Sequence, residues 1–477
     1  MSVYWRMSQT KDIDYPRGMA GYSDDGGITW YPQADRDFLF EEWGVTVTHH
    51  HPTIPNEPTV ARMLAGMGSP KIQRVKVVGY KVATGEEDST AYNNKRSLAR
   101  KSNGDLCCAY SRGGRIYYGY STNDGKSWTE EQVTSEEEEA WGMYPSIAVD
   151  SVDNVHVVWE GNNLGGEYPD YDHNIQYRKR TSEGWQNQEA ITDDPNGQFS
   201  PAIAIDSNDN VHTVWEGFGW GENPDSFNIQ YRKRTGAGWQ DQEPVTDIGG
   251  WQDCAAIAID SAGNVHLSWF GLSWGENPDS LNIQYRKRTN EGWQDREAVT
   301  DVADWQIFPT IAVDSADIAH IIWTGKGWGD NPDYYNIQYQ KRASEGWRDQ
   351  DREPVTDIAY NQTFESGDGS CFGGPSMSID SDDNIHVVWP GFGWGQYPDN
   401  LNIRYRRKTT SWQSQVGITD IAYYNSHPIL IWALYPVIGG LRTNRPKAGY
   451  ALVWSGQDEY GYKVEYFASK DLGWETA

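Results

Sequence analysis

The sequence predicts an all-β fold, a β-propeller of most simply seven four-stranded blades with eight as the alternative, and three observations carry that reading. First, a histidine three residues before a tryptophan recurs at His156, His212, His266, His320 and His386, in steps of 56, 54, 54 and 66 residues. A period near fifty is the mark of a repeat architecture. Second, each repeat reads as four short strands. In 200–247, Ala202–Ile205 is apolar and ends in a run of turn formers, Asp-Ser-Asn-Asp-Asn. Val211–Trp215 is β-branched and aromatic, Asn228–Arg234 alternates, Gly236-Ala237-Gly238 turns the chain, and Trp239–Thr246 is a last, more polar strand. Third, no segment shows a 3.6-residue apolar rhythm, which excludes a helical solenoid. A repeated four-stranded unit of this length is a propeller blade.

Taken in order, residues 1–96 do not match the repeat and are expected to form an arm or partial blade. Blades follow at about 97–134, 144–194, 200–248, 254–302, 308–358, 374–421 and 427–477. The first is divergent, with Cys107 in the histidine slot and Tyr110 in the tryptophan slot. The last has room for three strands only, so the stretch 72–83 (IQRVKVVGYKVA) is expected to close the ring by pairing with Lys463–Phe467. Trp159, Trp215, Trp269, Trp323, Trp389 and Trp454 share one slot, and Trp185, Trp239, Trp293, Trp347, Trp412 and Trp474 another. Such rings pack between sheets.

Composition narrows the function. The net charge of −28 argues against nucleic acid, which needs a basic face, and against an anionic membrane surface. The apolar run Pro428–Leu441 is too short and too broken to span a bilayer. The four cysteines give no disulfide framework, and Cys107 and Cys108, adjacent in a strand, point to opposite faces. The first sixteen residues lack the basic start and apolar core of a secretory signal.

Ser23-x-Asp25-x-Gly27-x-Thr29-Trp30 and Ser121-Thr-Asn-Asp-Gly125-Lys-Ser-Trp128 resemble the Asp-box of the BNR-repeat propellers, a family that includes sialidases. The resemblance implies the fold, because the box is a blade hairpin and not an active site. Sialidase chemistry would further need an arginine triad, a tyrosine nucleophile with a glutamate, and an aspartate acid/base. The family's Arg-Ile-Pro string is absent, Thr53-Ile54-Pro55 being the nearest, and most arginines belong to the repeated Tyr-Arg-Lys-Arg strand. Arg442 and Arg445 stand outside the repeat.

The sharpest repeated feature is the loop between the second and third strands. It carries Trp220 and Asp225, Trp274 and Asp279, Trp328 and Asp333, and Trp394 and Asp399 in successive blades. An aromatic plate beside polar acceptors is how proteins hold sugars, so these eight residues are the candidate ligand site. The competing reading has each indole folded over its own loop. The turn Asp206–Asn210 is rich in oxygens suited to calcium, but it is equally a plain β-turn, so no cofactor is assigned. The repeated histidines read as satisfied inter-blade groups, and His49–His51 as a weak metal candidate. The expected function is non-enzymatic: a surface display or attachment propeller, on a virion (phage tail or surface) or another extracellular surface. Its partners would be a glycan or other surface proteins, with homo-oligomerisation open. A purely structural virion component and a sialidase-like glycoside hydrolase are the alternatives.

Overall fold

A computed structural model describes residues 20–22, 31–33, 80–85, 90, 97–123, 125–134, 141–162, 173–365, 371–420, 422, 425–434, 448–458 and 461–468, the strands at either end mostly by their backbone. The chain divides into two compact units, Met1–Arg74 and Val75–Ala477. The first contains an antiparallel pair, Ala20–Tyr22 with Tyr31–Gln33. The box turn expected at 23–30, His49–His51, Arg442 and Arg445 lie outside the described residues.

The second unit is an all-β propeller. The blade formed by 198–244 is representative: Gln198–Ile205, Val211–Gly217 and Asn228–Thr235 pair in succession, and Gly238–Trp239 and Glu243–Pro244 both pair with the third strand as a broken fourth. Six such sheets, within 98–132, 142–190, 198–244, 252–298, 306–354 and 376–417, are each built from one continuous stretch. The first strands neighbour one another from sheet to sheet and so surround the axis. The seven blades expected from the repeat, or eight, are corrected to six built each from its own stretch, because the sheet of the last repeat is assembled from two distant parts of the chain. Asn425–Leu434, Ala448–Asp458 and Gly461–Ala468 form a composite sheet whose outer strand is Tyr80–Thr84, with Tyr80 opposite Tyr466 and Thr84 opposite Lys463. Within it, Asn425–Leu434 lies beside both Ser376–Ile379 and Leu98–Arg100.

Five of the six blades bury their second-strand tryptophan completely, Trp159, Trp215, Trp269, Trp323 and Trp389, and the first buries Tyr110 in the same slot. A buried indole N–H needs an acceptor, and in four of these blades a glutamine provides it, whereas the Trp159 ring has Gly142 at that place. Trp215 donates to Gln198 Oε1 at 2.8 Å, and Trp269, Trp323 and Trp389 donate in the same way to Gln252, Gln306 and Gln362. The carboxamide lies so close to Gly217 that a Cβ there would come within 2.2 Å of Gln198 Oε1, which is why glycine follows Trp-Glu.

The third strand fastens each blade to the one before it. Arg234 makes two hydrogen bonds to Glu189 at 2.8 and 2.9 Å, Arg288 does so to Glu243, Arg342 to Glu297 and Arg180 to Glu131. Arg232 donates to the Ile191 carbonyl and Arg286 to the Val245 carbonyl. The other tryptophan ring completes the contact. Trp239 meets Tyr177 of the preceding blade edge-on at 5.3 Å, and Trp293, Trp347 and Trp412 meet Tyr231, Tyr285 and Tyr339 likewise.

The repeated histidines are satisfied within their own blade, not between blades as expected. His212 is bonded through Nδ1 to the Tyr231 hydroxyl at 2.7 Å and through Nε2 to Asp206 at 3.1 Å. Cys107, in the histidine slot of the divergent blade, reaches Tyr118 Oη at 3.2 Å, the same partner type. Cys107 and Cys108 belong to separate core clusters, on opposite faces of their strand. Burial pushes the His212 imidazolium down to about 4, although Asp206 opposes this. Burial also lowers His156, His266 and His320. Burial disfavours the Asp206 carboxylate too, but hydrogen bonds from Asn210, His212 and Asn208 outweigh it and hold the group down at about 2.

These shifts set a pH window for stability. Unfolded, His212 takes up a proton below 6.5, while folded it refuses one until about 4, and His156, His266 and His320 are held down in the same direction, so stability is lost as pH falls below 6.5. Loss of the Asp206 contribution follows between 3.8 and about 2. Thermal melts across this range should show a melting temperature that is level above neutrality and drops progressively below pH ~6.5. A melting temperature unchanged between pH about 7.5 and about 5 would show that the histidines are not held neutral.

Candidate functional site

Antiparallel order places the second-to-third-strand loops and the fourth-to-first-strand connections on one face, called upper here. The upper loops are built from a short set of interactions. Gly219 N donates to the Pro224 carbonyl at 2.8 Å, closing the loop on itself. The backbone N–H groups of Glu222 and Asn223 then donate to the Asp247 carboxylate at 2.7 and 2.9 Å. Asp301, Asp357 and Asp420 hold the sister loops in the same way. These backbone bonds hold the Asp247 carboxyl below its ordinary range despite the opposing effect of desolvation. Gly221 has φ +75°, and a Cβ there would stand 2.2 Å from Asp247 Oδ2. The glycine after each loop tryptophan therefore serves the carboxylate that clamps the loop.

The eight candidate residues separate once placed. Asp225, Asp279, Asp333 and Asp399 are exposed at the loop tips and do not clamp their loops. That work falls to the aspartate of the Val/Ile-Thr-Asp string after the fourth strand, whose regular spacing from the loop was a signal in the sequence. The four indoles also differ. Trp274, Trp328 and Trp394 are half-buried, and each meets a guanidinium of its own blade: Arg296 at 3.7 Å from the Trp274 ring, Arg352 at 5.8 Å from Trp328, and Arg404 at 5.6 Å from Trp394. Desolvation pushes Arg296 and Arg404 down to about 10. Trp220 has Gln242 where its sisters have Arg296 and Arg352, and it is 36% exposed. The four loop indoles, alike in the repeat, thus divide into one open indole and three with a guanidinium at the ring.

Trp220 lines a cleft of about 420 Å³ where two blades meet. Its wall includes Asp193 and Asp194 of the preceding blade and Arg232, Asp241 and Gln242 of its own. Arg232 is committed to two backbone carbonyls, those of Gln240 and Ile191. Asp194 takes the Asn196 N–H at 2.8 Å through one oxygen. Gln242 donates to Gln230 Oε1 at 3.4 Å.

Two further features of the upper face escaped the sequence reading. Trp251 and Trp305, at the same position before the first-strand glutamine, are 49% and 46% exposed. Trp251 ends a row of rings that runs Trp141, His173, Phe199, Phe227, Trp251, with successive centroids 4.7 to 5.7 Å apart. In that row His173 Nδ1 pairs with the buried Glu160 at 2.8 Å, and Glu160 also accepts the backbone N–H of Ser200, which has φ +53°. His173 stands where the sister blades have Phe227, Leu281, Tyr335 and Leu401, and that break in the repeat was the available signal.

Among the described residues no group of three or more His, Cys, Asp or Glu is placed to hold a metal ion. The Asp206 turn spends its oxygens on N–H donors, namely Asn208, Asn210 and His212, as a plain turn does. The arginines Arg180, Arg234, Arg288 and Arg342 are engaged in inter-blade ion pairs. The hairpin at Ser121–Trp128 has box geometry: Ser121 Oγ accepts from Gly125 N, Asn123 Oδ1 from Ser127 N, and Trp128 Nε1 donates to the Gly125 carbonyl. No helix among the described residues is long and apolar enough to cross a membrane.

The chain is similar in fold to solved polysaccharide-acting propellers. A PL25 ulvan lyase bound to a GlcA(1-4)Rha3S unit superposes with a TM-score of 0.54 at 11% identity, over 82% of this chain and 95% of the lyase. A second structure described as the PL25 ulvan lyase gives 0.53 at the same identity and coverage. An α-L-arabinofuranosidase from Fusarium graminearum gives 0.41 at 11% identity, over 83% and 99% of the two chains. No family model and no curated protein matches.

The clamp on the Trp220 loop has a direct test. Gly221→Ala should disturb the loop and shift the Trp220 contribution to intrinsic fluorescence, because its Cβ meets a carboxylate. Gly263→Ala has a similar φ of +78° and nothing within 4 Å, so it should cost stability, about 1 kcal/mol, without that spectral change.

Proposed function

We propose that the protein is a carbohydrate-binding propeller that holds a glycan on its upper face without chemical conversion. The observation that carries this is the open cleft at Trp220, an exposed indole with carboxylate and amide groups around it on a clamped loop. Sugars present C–H faces to aromatic rings and hydroxyls to carboxylates and amides. A cleft of this volume is the size that small ligands use. Trp251 and Trp305 extend the aromatic surface across neighbouring blades, which suits a chain longer than one sugar. We read the ring as closed by the composite sheet, giving this face a rigid frame. Nothing in the described structure supports a virion or tail setting for it.

A second reading rests on the His173–Glu160 pair. A histidine oriented by a buried carboxylate is a proton-transfer group, and its singular position among repeats gives the asymmetry that catalysis requires. The two readings part in one experiment. The purified protein, Trp220→Ala and His173→Gln are screened on a glycan array, and each bound polysaccharide is then incubated and followed for chain shortening. Retained binding by His173→Gln, loss in Trp220→Ala and no shortening are the expected results. Shortening by the parent that stops in His173→Gln would replace the binding reading with the enzymatic one.

A further inference from the structure

The repeat itself supplies a comparison for the Trp220 cleft. In three sister blades the loop indole has a guanidinium at its ring, reached from two different positions. Arg296 and Arg352 come from the fourth strand, whereas Arg404 comes from the third, where other blades have Gln230, Gln284 and Gln338. The same pairing reached from two places indicates that this indole position favours a cation, as the quadrupole of the ring requires. The Trp220 blade has glutamine at both positions, Gln230 and Gln242. It alone of the four leaves the indole exposed, on an open cleft.

The charge around that cleft is of the complementary sign. Asp193, Asp194 and Asp241 line it, against Arg232 as the cationic member. Arg232 points its Nε and Nη1 donors into backbone carbonyls. Asp194 is special to this blade junction: the sister blades have Ile248, Val302, Ile358 and Ile421 in its place.

We infer that the Trp220 cleft takes a glycan bearing a free amine, with the ligand's ammonium group occupying the place that a guanidinium holds in the sister blades. This rests on the carbohydrate-binding reading and names its ligand class. The indole face and Asp194 and Asp241 would bind the ammonium, while the sugar ring covers the rest of the indole. Uronate and sulfated glycans are disfavoured by like charge, the opposite of the GlcA(1-4)Rha3S unit bound by the lyase of similar fold.

The test is a calorimetric titration of the full chain with β-1,4-linked glucosamine oligomers, their N-acetylated counterparts and glucuronate-bearing oligomers. Trp220→Ala and Gln242→Arg are titrated alongside. Gln242→Arg installs the side chain that two sister blades already carry at this position, so its fold should survive, as melting will show. The expected result is binding of the amine form about tenfold tighter than the N-acetylated form, weakened by salt. That preference should vanish in both variants. Equal binding of the amine and N-acetylated forms would overturn this inference and leave the carbohydrate-binding reading standing. An undiminished amine preference in a folded Gln242→Arg would likewise overturn it. Absence of binding to every oligomer by the folded parent overturns both.

Discussion

The junction between blades is the interaction on which the rest of the structure depends. One blade's third strand carries an arginine that grips a glutamate of the blade before it, as Arg234 does Glu189. The tryptophan that follows the next turn, Trp239, lies edge-on to Tyr177 of that same neighbour and donates its N–H to the same glutamate at 2.9 Å. Part-exposed ion pairs stabilise little by themselves. Here each is bound up with an aromatic contact, and at most junctions with a backbone carbonyl cap such as Arg232 gives Ile191, and it recurs around the ring. The junction sets the angle between sheets, and the cleft at Trp220 lies at one such junction. A residue's access to ligand on the upper face is therefore decided by two blades together.

The same device explains why the repeats are so alike and where they are free to differ. The Arg-Lys-Arg strand, the buried tryptophan with its glutamine acceptor and the His–Tyr–Asp trio are all engaged internally, so substitution at any of them unbalances a buried group. The upper loops are clamped by backbone bonds to one aspartate, which leaves their tips and the fourth-strand position facing them open to change. Gln242 in place of arginine, Asp194 in place of isoleucine and His173 in place of an apolar residue are such changes. They gather at the junction between the blades of 142–190 and 198–244 and give the upper face its asymmetry.

That asymmetry also bears on the choice between binding and catalysis. Repeated residues balance around an axis, whereas a reaction needs one place where groups of different kind converge. His173 with Glu160 is such a place, and Trp220 with its acidic cleft is another, at the same junction between the blades of 142–190 and 198–244. The ring row from Trp141 to Trp251 passes through His173.

Much of this was legible in the chain, because repetition makes local chemistry conspicuous. The period, the four-strand unit, the two tryptophan slots and the box at Ser121–Trp128 are local patterns, and turn chemistry and alternation are enough to read them. The number of blades was less legible: six sheets are each built from one continuous stretch, whereas the sheet of the last repeat takes its outer strand, Tyr80–Thr84, from far earlier in the chain. The candidate site was legible in type but not in detail. The loop tryptophans were found, yet which of them is open depends on a guanidinium arriving from a separate strand, at Arg296, Arg352 or Arg404. Asp225 and its sisters looked like ligand acceptors by proximity in sequence, and the fold places them at exposed tips. Asp193 and Asp194 are distant from Trp220 in sequence and reach its cleft only because adjacent blades pack edge to edge. What the sequence alone determined was the repeating unit, because a strand and its turn are set by neighbours in the chain. What only the tertiary structure decided was the site, because its walls come from two blades and its vacancy from a cation that a third strand or a fourth strand supplies elsewhere.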